Sequence, residues 1–153
     1  MSVIAWDGKT VAADRQGTSN QVIGTCQKIF KVKGFAVGFV GQEDVGLMLI
    51  QWFKDGAKMD EWLADMQQGE SGSALVVVGR SNVWQIGEFP IFSVIEDTFW
   101  AWGVGWEIAL GAMSFGANAR EAVETTNRLH AYCGGGVDVF ECAKLTTKIP
   151  KVS

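Results

Sequence analysis

Ser2 carries the chemistry that this chain makes most available. With Met1 removed, Ser2 would present a hydroxyl and a free α-amine on one residue. An α-amine has an ordinary pKa of about 8, within range for general-base work near neutral pH. The hydroxyl would then be the nucleophile and the amine its base, an arrangement suited to attack on an amide carbonyl. Cys133 is a competing nucleophile, but no Cys-His motif of defined spacing accompanies it, and His130 is the sole histidine. The cysteines Cys26, Cys133 and Cys142 are odd in number and show neither CxxC nor zinc-type Cys/His spacing. Reduced thiols, no metal and no organic cofactor are the expectation, in a cytoplasmic protein.

A residue at the start of a chain does chemistry only if the rest of the chain holds it against partners. Val3–Trp6 and Thr10–Ala13 are apolar runs flanking Asp7-Gly8, a pair suited to a tight turn, so the chain opens on a β-hairpin. A polar loop is expected over 16–25. Lys28–Val32 alternates polar and apolar and predicts a half-buried strand. Lys33-Gly34 turns it into Phe35–Val40, an apolar run suited to a strand buried on both faces. The period then changes. Val45, Leu47, Met48, Ile50 and Trp52 have helical spacing, and Gln42, Glu43 and Asp44 favour the first turn.

Met59–Met66 reads as a shorter second helix, and Ser73–Val78 and Val83–Ile86 as a strand pair. Phe92–Ile95 and Phe99–Trp102 are shorter strand candidates. Trp106–Phe115 reads as a helix. Asn118 caps the next, with Glu121 completing a capping box, and that helix is expected to run to about Ala131. Gly134-Gly135-Gly136 leads into a last strand, Val137–Lys144. Strands followed by paired helices, twice over, predict an α+β sandwich of two packed sheets covered by helix pairs.

The chain has 153 residues, 48% of them hydrophobic, which fits one domain over 1–153 with a sizeable core. The net charge of −4, with Lys and Arg scattered, argues against nucleic-acid binding, which needs a concentrated basic face. No stretch approaches the roughly 18 apolar residues of a membrane span, and no signal peptide is evident. Of the seven tryptophans, Trp100, Trp102 and Trp106 lie close together and are candidates for a subunit interface.

The element order and several motifs resemble the proteasome β-subunit and HslV peptidase family, within the N-terminal-nucleophile hydrolases. Ala12-Ala13-Asp14-Arg15-Gln16-Gly17-Thr18 is similar to the family's second strand and following loop. Gln27-Lys28-Ile29 is similar to the strand carrying the catalytic lysine. Gly38-Phe39-Val40-Gly41 is similar to the strand-to-helix turn whose glycine amide forms the oxyanion hole. Gly103-Val104-Gly105 stands in the place of a Gly-Ser-Gly, and Ala131–Val137 resembles the Tyr-Ser-Gly-Gly segment before the last long strand. The resemblance runs to about Lys144. The chain's compactness resembles bacterial or phage-encoded members, for which the host cytoplasm would be the compartment.

That resemblance implies a four-layer αββα sandwich and a peptidase acting through Ser2. Lys28 would sit beside the hydroxyl and favour loss of its proton. Asp14 would hold Lys28 charged and in place, and the Gly41 amide would face the developing oxyanion. Gly17, Thr18, Cys26 and Phe39 would contact substrate, the bulky Phe39 giving a shallow specificity pocket. A peptide or unfolded protein would be the substrate, a homo-oligomeric ring the assembly, and an ATP-dependent unfoldase a possible partner.

Two positions depart from the family. Val104 replaces a serine that helps carry protons, and His130 replaces the aspartate supporting that serine; His130 is either a partial substitute or a packing residue. The opening hairpin is also shorter than usual for the family. Each site residue has a plainer reading: Asp14 as a strand-end residue binding turn amides, Lys28 as a solvated strand lysine, Gly41 as a helix cap. Two other functions therefore compete with peptide hydrolysis: an inactive protein of the same fold with a binding or ring-forming role, and a small-molecule amidase.

Overall fold

The computed structural model describes residues 2–62 and 74–153. The opening hairpin forms as the sequence predicts. Strand β1 (Val3–Trp6) pairs antiparallel with β2 (Thr10–Asp14), in register Ile4↔Ala13 and Trp6↔Val11. Asp7 holds the turn, its carboxylate accepting from the amides of Lys9 (2.8 Å) and Thr10 (2.6 Å) and from the Thr10 hydroxyl.

The predicted loop over 16–25 is instead a second hairpin, β3 (Gln16–Ser19) with β4 (Val22–Thr25). Its turn, Asn20-Gln21, has both φ values positive, as a tight hairpin turn requires. The hairpin projects into solvent, with Val22 and Ile23 exposed, so no hydrophobic alternation marks it in the sequence.

Strand β5 (Ile29–Val32) turns through Lys33-Gly34 into β6 (Phe35–Val40), which is buried along its whole length. Helix α1 (Glu43–Lys54) follows. Of the helix expected over 59–66, the described part is a 3-10 turn, Met59–Glu61, and residues 63–66 lie outside the described residues. Its first amide, Met59 N–H, donates to the Ser153 carbonyl, so the carboxyl-terminal tail takes part in this turn.

Next come β7 (Ala74–Val78), β8 (Val83–Ile86), the two-residue β9 (Ser93–Val94) and β10 (Trp100–Gly103). Helix α2 spans Trp106–Ser114 and α3 spans Ala119–Leu129. The Asn118–Glu121 capping box is present in both directions; α3 stops before Ala131 because His130 is extended. The last strand, β11 (Val137–Glu141), gives way to a 3-10 turn at Cys142–Lys144, where the buried Cys142 donates its amide to the Lys9 carbonyl.

Among the described residues every strand pair is antiparallel. One has the order β10-β1-β2-β11, another β5-β6-β7-β8-β9, and β3-β4 forms a pair of its own. The two-residue period of a strand sends alternate side chains to opposite faces. Ile4 and Trp6 of β1 and Val11 and Ala13 of β2 meet Ile29, Ala36, Val76 and Val78 of the five-stranded sheet. Val3, Ala5 and Ala12 face the other way, onto Ala109 and Met113 of α2 and Ala122 and Val123 of α3. Phe35, Val37 and Phe39 of β6 pack on Leu49, Trp52 and Phe53 of α1.

Candidate active site

Asp14 ends β2 and Lys28 immediately precedes β5, so each sits where a strand of a different sheet meets a loop. Lys28 Nζ donates to both Asp14 oxygens, at 2.9 and 3.0 Å, with both side chains buried. Three backbone amides donate to the same carboxylate: Val3 (3.0 Å), Gln16 (3.2 Å) and Gly134 (3.3 Å). They come from β1, from β3 and from the loop before β11. A buried ion pair is stable only when its remaining hydrogen-bonding capacity is met, and these amides meet it. The plain reading of Lys28 as solvated is therefore corrected, since it is 3% exposed, whereas Asp14 is a strand-end residue that binds backbone amides and pairs with Lys28 as well.

Ser2 lies beside this pair at the head of β1. It is 1% exposed, and its Oγ has no hydrogen-bond partner among the described residues. A buried unsatisfied hydroxyl costs about 1–3 kcal/mol, so such atoms concentrate where a ligand or a reaction uses them. The backbone around Ser2 is fixed by β10. Val3 pairs with Gly103, and the Gly105 amide donates to the Ser2 carbonyl (3.4 Å). Gly103 has φ +95°, and a Cβ there would collide with the Ser2 carbonyl, so both the conformation and the space require glycine.

A cavity of about 1270 Å³ opens over these residues. Ser2 and Lys28 line it, together with Gly17, Thr18, Cys26, Phe39 and Gly41. Gly41 has φ +103° and immediately precedes Gln42, the N-cap of α1. Amides at a helix start favour negative charge. The first turn of α1 also brings Glu43 and Asp44 to the cavity. A hydroxyl, a buried ammonium and a helix start thus share one concave surface, which is the equipment for nucleophilic attack on a carbonyl.

Of the expected site residues, Ser2, Gly17, Thr18, Cys26, Lys28, Phe39 and Gly41 line the cavity, while Asp14 lies behind Lys28 and does not line it. His130 does not line the cavity; it follows α3, and its Nδ1 accepts the Tyr132 amide at 3.1 Å. Phe39 reaches the cavity but is 2% exposed, most of it packed in the core beneath α1. Cys133 is buried away from the cavity. Desolvation, aided by the Asp14 charge, pushes its thiol up to about 11, which keeps it protonated and a poor nucleophile. Cys26 is half-buried, and desolvation raises its thiol as well, against the pull of Lys28. No group of three or more His, Cys, Asp or Glu side chains able to hold a metal occurs among the described residues.

Sequence reasoning missed several contributors. Gln16 is buried, lines the cavity and donates its side-chain amide to the Ala131 carbonyl (3.1 Å). Gly134 supplies an amide to Asp14, and its glycine run was the signal available for a close approach. Trp100, Trp102 and Trp106 line the cavity, a placement that their clustering alone did not reveal.

No protein-family model matches the chain, and no curated protein matches it. Solved structures do, and the fold they share with it is that of HslV- and proteasome-type peptidases. Thiobacillus denitrificans BPH matches with a TM-score of 0.69 at 18% identity, over 97% of this chain and 100% of that one. The same protein in complex with epoxomicin matches at 0.69 and 19%, over 92% and 97%. Eukaryotic HslV from Trypanosoma brucei matches at 0.70 and 18%, over 91% and 97%. No helix of the described residues is long and apolar enough to cross a membrane.

Proposed function

We propose that this chain is a proteasome-like N-terminal-nucleophile hydrolase that cleaves peptide bonds through Ser2 after removal of Met1. The observation that carries this reading is the unpartnered, buried Ser2 hydroxyl at a cavity also lined by Lys28, which is itself paired with Asp14. Ser2 Oγ attacks the carbonyl carbon, and its proton passes to the α-amine. The Lys28 ammonium lowers the cost of negative charge on the oxygen, and the Gly41 amide stabilises the tetrahedral oxyanion. The α-ammonium then protonates the departing nitrogen, the C–N bond breaks, and an ester to Ser2 remains. Water, activated by the same amine, hydrolyses that ester and restores the hydroxyl.

Gly17, Thr18, Cys26 and Phe39 hold the acyl part of the substrate in this scheme. The three alternating cores support a four-layer αββα arrangement of a single domain spanning 1–153. The shared fold supports a homo-oligomeric ring acting on peptides or unfolded proteins in the cytoplasm, with an ATP-dependent unfoldase as partner.

Val104 favours a second reading, a non-catalytic protein of the same fold. It borders the cavity, 42% exposed, and its side chain has no group to relay a proton. Intact-mass spectrometry followed by incubation with epoxomicin, the ligand of the Thiobacillus neighbour, separates the two readings. The hydrolase gives a mass lacking Met1 and a single adduct that Ser2→Ala abolishes. Retained Met1, or no adduct together with no peptide turnover, refutes it.

A further inference from the structure

Besides the start of α1, two stretches of the cavity lining flank Ser2 as banks. β1 lies between β2 and β10 in its sheet, so the residue heading β1 is flanked from both sides. On the β2 side the chain continues into β3, which brings Gly17 and Thr18 to the cavity. On the β10 side stand Trp100, Trp102, Val104 and Trp106. The two banks differ in chemistry. The β3 bank is small and polar, whereas the β10 bank is apolar, largely indole, and carries no charged residue from Trp100 to Trp106.

The indoles are also held differently. Trp102 is 6% exposed, and its Nε1 donates to Gln85 Oε1 at 2.8 Å, tying β10 to β8 of the other sheet. Trp100 packs partly buried against the core between the sheets. Trp106, the first residue of α2, is 42% exposed, and Leu47 of α1, another cavity residue, is 45% exposed. Large apolar side chains left exposed around a concave site mark recognition, and tryptophan offers a large contact area with few rotatable bonds to order.

We propose that Trp106, backed by the more buried Trp100 and Trp102, forms the subsite for the leaving-group side of the substrate, and that it selects a large apolar or aromatic residue immediately after the scissile bond. The assignment of side rests on the hydrolase reading above: Gly17 and Thr18 hold the acyl part, and the opposite bank faces the portion that departs as an amine. Trp106 is the specificity-determining residue, because it is the most accessible of the three.

The test uses internally quenched peptides that differ only in the residue after the cleaved bond, Phe or Ala. The expected ratio of kcat/KM is about tenfold or more in favour of Phe, in the range a hydrophobic pocket supplies. Trp106→Ala brings that ratio toward one, and Trp106→Phe restores most of it. Binding of the same peptides to Ser2→Ala, measured by calorimetry, gives a second readout that needs no turnover. Aromatic-selective binding weakened by adding Trp106→Ala supports the subsite even if the parent cleaves nothing, in which case the hydrolase reading alone fails. Cleavage with no preference, a preference that Trp106→Ala leaves intact, or neither cleavage nor selective binding overturns the proposal.

Discussion

Replacing Lys28 by Met tests whether the Asp14–Lys28 pair is as desolvated as its surroundings imply. Lys28 is 3% exposed and Asp14 is fully buried, so the substitution leaves a carboxylate in the interior without its cation. Removing one partner of a buried pair costs about 3–5 kcal/mol. Asp14 would still accept from the amides of Val3, Gln16 and Gly134, which places the loss near the lower end, about 3 kcal/mol. For a chain of this length that corresponds to a fall in Tm of roughly 6–12 °C. Urea denaturation of the parent, Lys28→Met, Asp14→Asn and the double variant closes a thermodynamic cycle. The double variant, with no orphaned charge, should be more stable than Lys28→Met alone. A Lys28→Met protein within about 1 kcal/mol of the parent, or a double variant no better than the single, would refute the description of a dry, mutually dependent pair.

Three further outcomes follow from the geometry. Gly103→Ala should destabilise the fold and abolish any labelling at Ser2, because a Cβ collides with the Ser2 carbonyl in a φ > 0 conformation; a stable, normally labelled variant by thermal melt and mass spectrometry would contradict this. Burial raises the Asp7 carboxyl, but hydrogen bonds from Ala119, Thr10 and Lys9 outweigh it and leave its pKa below the ordinary value. Its stabilisation is therefore present above the ordinary carboxylate range and is lost as pH falls through the depressed value. Asp7→Ala should cost about 1–2 kcal/mol at neutral pH, a deficit that shrinks in melts taken below about pH 4. Burial pushes the Cys133 and Cys142 thiols up from about 9 to about 11, so stability should decline as pH rises across that interval, and iodoacetamide at pH 8 should modify Cys26 before either.

Local chemistry was the legible part of the sequence. The Asp7-Gly8 and Lys33-Gly34 turns, the Asn118–Glu121 box and the fully apolar Phe35–Val40 run each state their conformation in a few adjacent residues. The pairing of Asp14 with Lys28 was legible only through family resemblance, since a sequence separation of 14 says nothing about proximity. The β3–β4 hairpin escaped because an exposed two-stranded ribbon has no buried face to pattern. The turn at Met59 looked helical by composition, yet a hydrogen bond to Ser153 at the far end of the chain helps define it. Spacing along the chain reveals that the tryptophans are near one another, but that they line the cavity is legible only in the fold.

The sheet order has a consequence for how the site comes into being. Asp14 receives its amides from Val3, Gln16 and Gly134, and β2 gains its second neighbour only when β11 arrives. Synthesis proceeds from the amino terminus at about 5–20 residues per second. Ser2 therefore leaves the ribosome well before the strand that completes its sheet. Until β11 emerges, a nascent chain carries the Ser2 hydroxyl without the completed sheet beside it. Non-local closure of this kind folds slowly, so the hydroxyl meets its finished surroundings only after β11 has been made and has paired with β2.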